Sequence, residues 1–204
     1  MYTVSHFLEK DIDKLAAFIE ANPFAVLIGA NQNFPSATQV PLQLQRDGAT
    51  IKLIGHVMKK TDHHEAFVAN ENVLVLFHGA HAYVSASVYE NPASASTWNY
   101  NSVQAKGKIR LLSDEETKKI IKDLTDQYEA KDSPAAFHQM SDDYIDKHLK
   151  AITGFEITVT SLEGVFKLSQ NHPHSNRESI VKYLSQSDDL QAQEVAQQMR
   201  DGLQ

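Results

Sequence analysis

The chain of 204 residues has no cysteine. Disulfides, thiolate metal sites and cysteine nucleophiles are therefore excluded. There is no apolar run of membrane-spanning length. The opening "MYTVSHFLEKDIDK" has no basic region, apolar core or small-residue cleavage site of a signal peptide, so a cytoplasmic protein is expected. Also missing are a Gly-rich phosphate loop, HExxH, G-x-S-x-G and zinc-finger spacing. Positive charge is in short supply: the net charge is −7 and the pI near 5.8. That works against extensive non-specific nucleic-acid binding, which rests on phosphate neutralisation by Lys and Arg. Tryptophan occurs once, as Trp98.

What is present reads as a soluble globular chain, with 42% hydrophobic and 22% charged residues. Asp11 is a plausible N-cap for a helix carrying Ile12, Leu15, Ala16 and Ile19, which must stop near Asn22-Pro23. The period then changes. "FAVLIGA" reads as a strand, "NQNFP" as a turn, "ATQVPLQLQ" as an alternating strand, "RDG" as a turn and "TIKLIGHVM" as a third strand. A short helix over "DHHEAFVA" separates it from "NVLVLFHG", a continuous apolar run that suits a strand buried on both faces. "HAYVSASV" follows, then a loop through "YENPASAS". From Val103 to Leu111, apolar and polar residues alternate as a half-buried strand requires.

After Leu112 the pattern becomes helical. "SDEE" at Ser113 to Glu116 matches a capping box. A second helix from about Ser141 carries Ile145, Leu149 and Ile152, with Gly154 as its stop. "FEITVTSLEGVFKLSQN" returns to strand, and the tail from Asn176 is helical. Consecutive strands with short turns, flanked by helices, indicate an α+β chain with a mainly β core, a small barrel decorated with helices. One domain over 1–204 is expected. Its barrel core is about 23–112 with a returning strand at about 154–170, and its helices lie at about 113–152 and 175–201.

Four polar clusters could carry chemistry. "GHVMKKT" brings His56, Lys59, Lys60 and Thr61 to a strand end before a helix, where ammonium groups and helix amides suit a phosphate; a solvated strand end reads equally well. Tyr83, Ser85 and Ser87 share one strand face, which lines a barrel interior or forms a polar exterior. "STWNY" offers Trp98 and Tyr100 as flat surfaces beside Thr97 and Asn99, as a planar heteroaromatic ligand would need; the plainer alternative is a core tryptophan. Lys167, Ser169 and Asn171 could clamp an anion or simply end a strand. The ten histidines do not make a metal site: His63 and His64 are adjacent and diverge on a helix, and no carboxylate has ligand spacing.

In this order, "NPFAVLIGA", "VPLQL", "GHV", "FHGAHAYVSAS", "TWNY" before "VQAKGKIRLL", "GFEI" and "LEGVFKLSQN" resemble the PaiB family of FMN-binding negative transcriptional regulators. The resemblance spans nearly the whole chain, with "TWNY" and "KLSQN" its more specific pieces. It implies a split β-barrel of the FMN-binding, pyridoxamine-phosphate-oxidase-like type, whose polar rim binds FMN, usually at a homodimer interface. Carried over by motif, the cofactor-binding set is His56 and Val57 of "GHV", with Lys59 where arginine is common, Lys60, and Thr61 where asparagine is. It continues with Tyr83 and Ser85, then Thr97, Trp98 and Asn99, then Lys167, Ser169, Gln170 and Asn171. No catalytic residue and no metal ligand is implied.

The chain departs from the family pattern at Ser85-Ala86-Ser87-Val88-Tyr89, at Ala95-Ser96, at Thr61-Asp62 and at His172. One aromatic wall and two rigid turns are thereby lost, so flavin occupancy is a separate matter from family membership. Lys106, Lys108 and Arg110 read as a solvated or dimer-facing strand side, or as a local basic patch for DNA; no helix-turn-helix or zinc finger accompanies them. Three further readings remain. One is a flavin-dependent oxidoreductase of a small substrate. Another is a haem-binding split barrel using His78, His81 or His172. The last is a barrel that dimerises and binds nothing.

Overall fold

The computed structural model describes residues 4–30 and 34–202; most of the "NQNFP" turn lies outside them. Two compact units form. The first comprises Met1–Phe18, His78–Val103 and Glu163–Gln204, the second Ile19–Phe77 and Gln104–Leu162.

In chain order the strands are β1 (Leu8–Glu9), β2 (Phe24–Gly29), β3 (Ser36–Pro41), β4 (Gln43–Asp47), β5 (Thr50–Met58), β6 (Asn72–Val84), β7 (Thr97–Leu111) and β8 (Ile152–Lys167). The helices are α1 (Ile12–Ala21), α2 (Asp62–Ala69), α3 (Asp114–Tyr128), α4 (Asp142–Leu149), α5 (His174–Ser185) and α6 (Leu190–Asp201). Strands hydrogen-bond in the order β3-β2-β6-β7-β8-β5-β4, with β1 on β8. The antiparallel register is fixed by pairs such as Val26 with Gln39, Val26 with Leu76, and His56 with Gly154.

In the second unit, Leu27, Leu53, Val75, Phe77, Phe155 and Ile157 are fully buried. Alternation puts these residues on one strand face, so the register cannot slip without exposing them. Gly107 of β7 marks the tightest approach: a Cβ there would stand 2.5 Å from the Thr158 carbonyl oxygen of β8. In the first unit, α5 and α6 lay Ile180, Leu184, Val195 and Met199 against Ala80, Ala82 and Val84 of β6. Small residues on that strand let the helices come close, and the heptad-like spacing on the helices supplies the facing stripe.

Several expectations are corrected. "ATQVPLQLQ" is two strands, because Pro41 lacks an N–H for the ladder and the Leu42 amide instead donates to the Pro23 carbonyl (2.9 Å). "NVLVLFHG" and "HAYV" form one strand, β6, alternating between buried and half-buried positions rather than buried on both faces. Ile152 and Gly154 belong to β8, not to α4. Gly154 sits where a side chain would crowd Thr117, Ile120 and Leu112. The capping box holds as read: the Ser113 hydroxyl accepts from the Glu116 amide and the Glu116 carboxylate accepts from the Ser113 amide.

Candidate functional site

The alternation beginning at Val103 extends back through "TWNY", which is itself strand. Asn99 and Asn101 continue the buried face of β7, and Trp98 and Tyr100 point the other way. Trp98 is thus no core tryptophan: it is 54% exposed, beside Tyr83 at 49%. The two rings meet edge-on at 5.8 Å, and the His81 ring lies 5.9 Å from Trp98. Tyr83 and Trp98, together with Tyr183 of α5, line a cleft of about 480 Å³ in the first unit. Water-facing aromatic planes of this kind are a stacking surface.

Behind the aromatic surface the polar groups are tightly partnered. The Lys167 ammonium donates to the Thr97 hydroxyl and the Trp98 carbonyl, and lies 5.7 Å from the Phe7 ring centroid. Partial burial pulls its pKa below the ordinary 10.5. The Ser169 hydroxyl donates to Asn99 Oδ1 (3.0 Å), and Asn99 Nδ2 donates to the Met199 sulfur (3.3 Å). Gln170 turns back on the Phe166 carbonyl and the Leu168 amide. Ser85 bonds Ser87 and caps the short turn Ala86–Val88. His172 packs on Tyr89 at 4.7 Å, and burial and then the Lys167 charge keep it below its usual pKa. Sequence reasoning missed Tyr89, whose buried hydroxyl has no partner and whose pKa burial raises. No motif singled it out.

The second unit holds the other cluster. The Thr61 hydroxyl caps α2, accepting from the His64 amide (3.3 Å) and donating to the Met58 carbonyl (3.0 Å). Lys60 is exposed, with a left-handed backbone at φ 64°. Lys59 is committed elsewhere: its ammonium donates to the Leu149 carbonyl at the end of α4 (2.8 Å) and to Asp114 (3.1 Å). A cation at a helix C-terminus is favoured there. Val57 is core, and His56 faces a different cavity, below α3 and α4. Of the fourteen residues expected from the sequence, the fold therefore joins Tyr83 to Trp98, Lys167 to Thr97 and Trp98, and Ser169 to Asn99. It separates His56 and Val57 from the Lys60–Thr61 turn. Nothing in the described contacts gives Asn171 a role.

The basic strand side is largely neutralised: Lys108 pairs with Glu71, and Arg110 with Glu116 (3.1 Å) and Glu156 (3.9 Å).

The fold is that of the flavin-binding split barrels. The flavocytochrome Anf3 of Azotobacter vinelandii superposes with a TM-score of 0.63 at 13% identity, over 82% of this chain and 72% of that one. The FAD and heme binding protein of Mycobacterium smegmatis superposes at 0.59 and 15%, over 86% and 80%. Residues 1–161 match the family described as "Putative FMN-binding domain", and the chain belongs to that family. It is 29% identical over 204 residues to protease synthase and sporulation protein PAI 2 of Bacillus subtilis (strain 168), covering all of this chain and 98% of that protein. An uncharacterized protein of Emericella nidulans is 30% identical, with 89% of each chain covered. This is an FMN-binding split-barrel protein resembling the PaiB type.

Proposed function

We propose that FMN is held by Tyr83, Thr97, Trp98 and Lys167 of the first unit, at an interface between two copies of the chain in the cytoplasm. FMN supplies hydride and single-electron transfer when bound; the chain's own groups bind and orient it. Trp98 and Tyr83 offer the stacking planes. Lys167 brings a partly desolvated donor and a positive charge for a phosphate.

One observation carries this reading. Among the described residues only two that are not glycine have positive φ, Lys60 at 64° and Ser169 at 60°; Ser169 stands two residues from Lys167 and donates to Asn99, within the first-unit set expected from the sequence. Such backbone costs about 1 kcal/mol or more per residue, and it persists mainly where a site imposes it. No helix among the described residues is long and apolar enough to cross a membrane. Regulation through DNA is not part of this reading, because Lys108 and Arg110 of β7 face carboxylates.

The test is a flavin-fluorescence titration with FMN, with the oligomeric state measured in parallel. Lys167→Ala and Trp98→Ala should each weaken binding about tenfold, the scale of one charged hydrogen bond or one stacked ring. Unchanged affinity in both variants would remove the assignment. A Soret band on adding haem, with no flavin retained, would replace FMN by haem.

A further inference from the structure

Helices α3 and α4 and the short turn Phe137–Gln139 cover His56 of β5 and Ile152 of β8 with a thin satellite core. Only Phe137, Ile145 and Leu149 are buried in it, with Ile121 and Met140 packed alongside. Among them lies a cavity of about 330 Å³. Protein interiors normally pack as densely as organic crystals, and lining atoms without neighbours forfeit dispersion contacts. The volume falls in the range of small-molecule sites.

The lining specifies the occupant. It contains no carboxylate, lysine or arginine, so a charged ligand would lose its hydration with nothing to offset the cost. Hydrogen-bonding capacity comes from two histidines and the Tyr144 hydroxyl. His148 Nδ1 lies 2.7 Å from the Tyr144 carbonyl oxygen. That oxygen only accepts, so Nδ1 carries a proton and Nε2 is the ring nitrogen left for a ligand. At the floor, His56 Nδ1 is buried without a partner, and burial holds its ring below the ordinary pKa. The Thr125 hydroxyl is already used, donating to the Ile121 carbonyl (2.8 Å). Tyr144 and His148 stack at 4.1 Å and make one wall aromatic.

We propose that this cavity binds a small, uncharged aromatic molecule bearing one O–H or N–H donor, of the phenol or indole class, with its ring among Ile121, Met140 and Ile145 and its donor on a histidine nitrogen. The site is separate from the FMN residues proposed above and does not rest on them.

Indole is the probe. Titrated into the full-length protein, it should shift the methyl NMR signals of Ile121, Met140, Ile145 and Leu149 and leave those of Ile180 and Val195 in place. His148→Phe should weaken binding about fivefold, the effect of one neutral hydrogen bond. Leu124→Trp, at a half-buried position, should fill the cavity and abolish binding while FMN retention and the melting temperature are kept. No methyl shifts at millimolar indole would overturn the proposal, as would equal shifts in both groups of methyls. Displacement of indole by FMN would also overturn it, by making the cavity part of the flavin site. Failure of FMN binding with indole shifts intact would sink only the flavin assignment.

Discussion

The two compact units treat amide side chains differently. The first buries them: Asn99 is fully enclosed, Ser169 and Asn101 nearly so, and the hydrogen bonds run from Ser169 to Asn99 to Met199 and from Asn101 to Gln198. The second buries hydroxyls instead, Thr117 fully and Thr153 nearly so, with the Thr117 hydroxyl accepting from the Gly154 amide (2.9 Å), and it sets ion pairs such as Lys108 with Glu71, Arg110 with Glu116 and Lys118 with Asp142 at the surface. Buried amides demand one geometry, because an unpartnered one is costly. Exposed pairs demand little, because water and salt replace them. The exposed Trp98 thus stands on a rigid polar base, whereas the outward face of β7 in the second unit is tolerant of change.

Substitutions should separate the units by size of effect. Gly107→Ala should be the most damaging, about 3 kcal/mol by chemical denaturation, because the new methyl meets a backbone oxygen that cannot step aside. Asn99→Ala should cost about 2 kcal/mol, since it strands the buried Ser169 hydroxyl and leaves a small void. If Asn99→Ala were neutral, the contrast between the units would fail at its centre.

The pH dependence comes next. His56 and His172 both have folded pKa values below the ordinary 6.5, through burial. The unfolded chain therefore takes up protons first as the pH falls below 6.5. Stability should be level above that value and decline towards the lowered folded values. His56→Gln should flatten part of this decline, with His172 responsible for the remainder; an unchanged slope would contradict the burial of the His56 ring. Smallest of all, Lys108→Ala should move stability by less than about 0.5 kcal/mol, and less still in high salt. A larger change would show that the surface pairs of the second unit are structural after all.

Much of the fold was legible because local chemistry and tertiary packing agree. The helix over "DHHEAFVA", the capping box at Ser113 and the strand "TIKLIGHVM" each sit where propensity and periodicity put them. Disagreement arose where a residue type serves two purposes. Gly154 is a good helix stop by propensity, yet in β8 it is the residue small enough to pass under Thr117 and Ile120. The residues expected at the site were chosen by motif, and motifs did not name their partners. "GHV" and "KKT" adjoin in sequence, and strand alternation sends His56 towards one cavity and Val57 into the core.

The sequence by itself determined the strand and helix periods, the caps, the absence of thiol chemistry and the resemblance to an FMN-binding family, because each rests on residue types at short spacing. Tertiary structure alone decided that Trp98 faces water, that Lys59 closes α4 rather than standing open to a phosphate, and that His56 lies below an unfilled cavity. Each of these depends on residues about seventy to a hundred positions away in the chain, and no local pattern encodes which distant groups will arrive beside them.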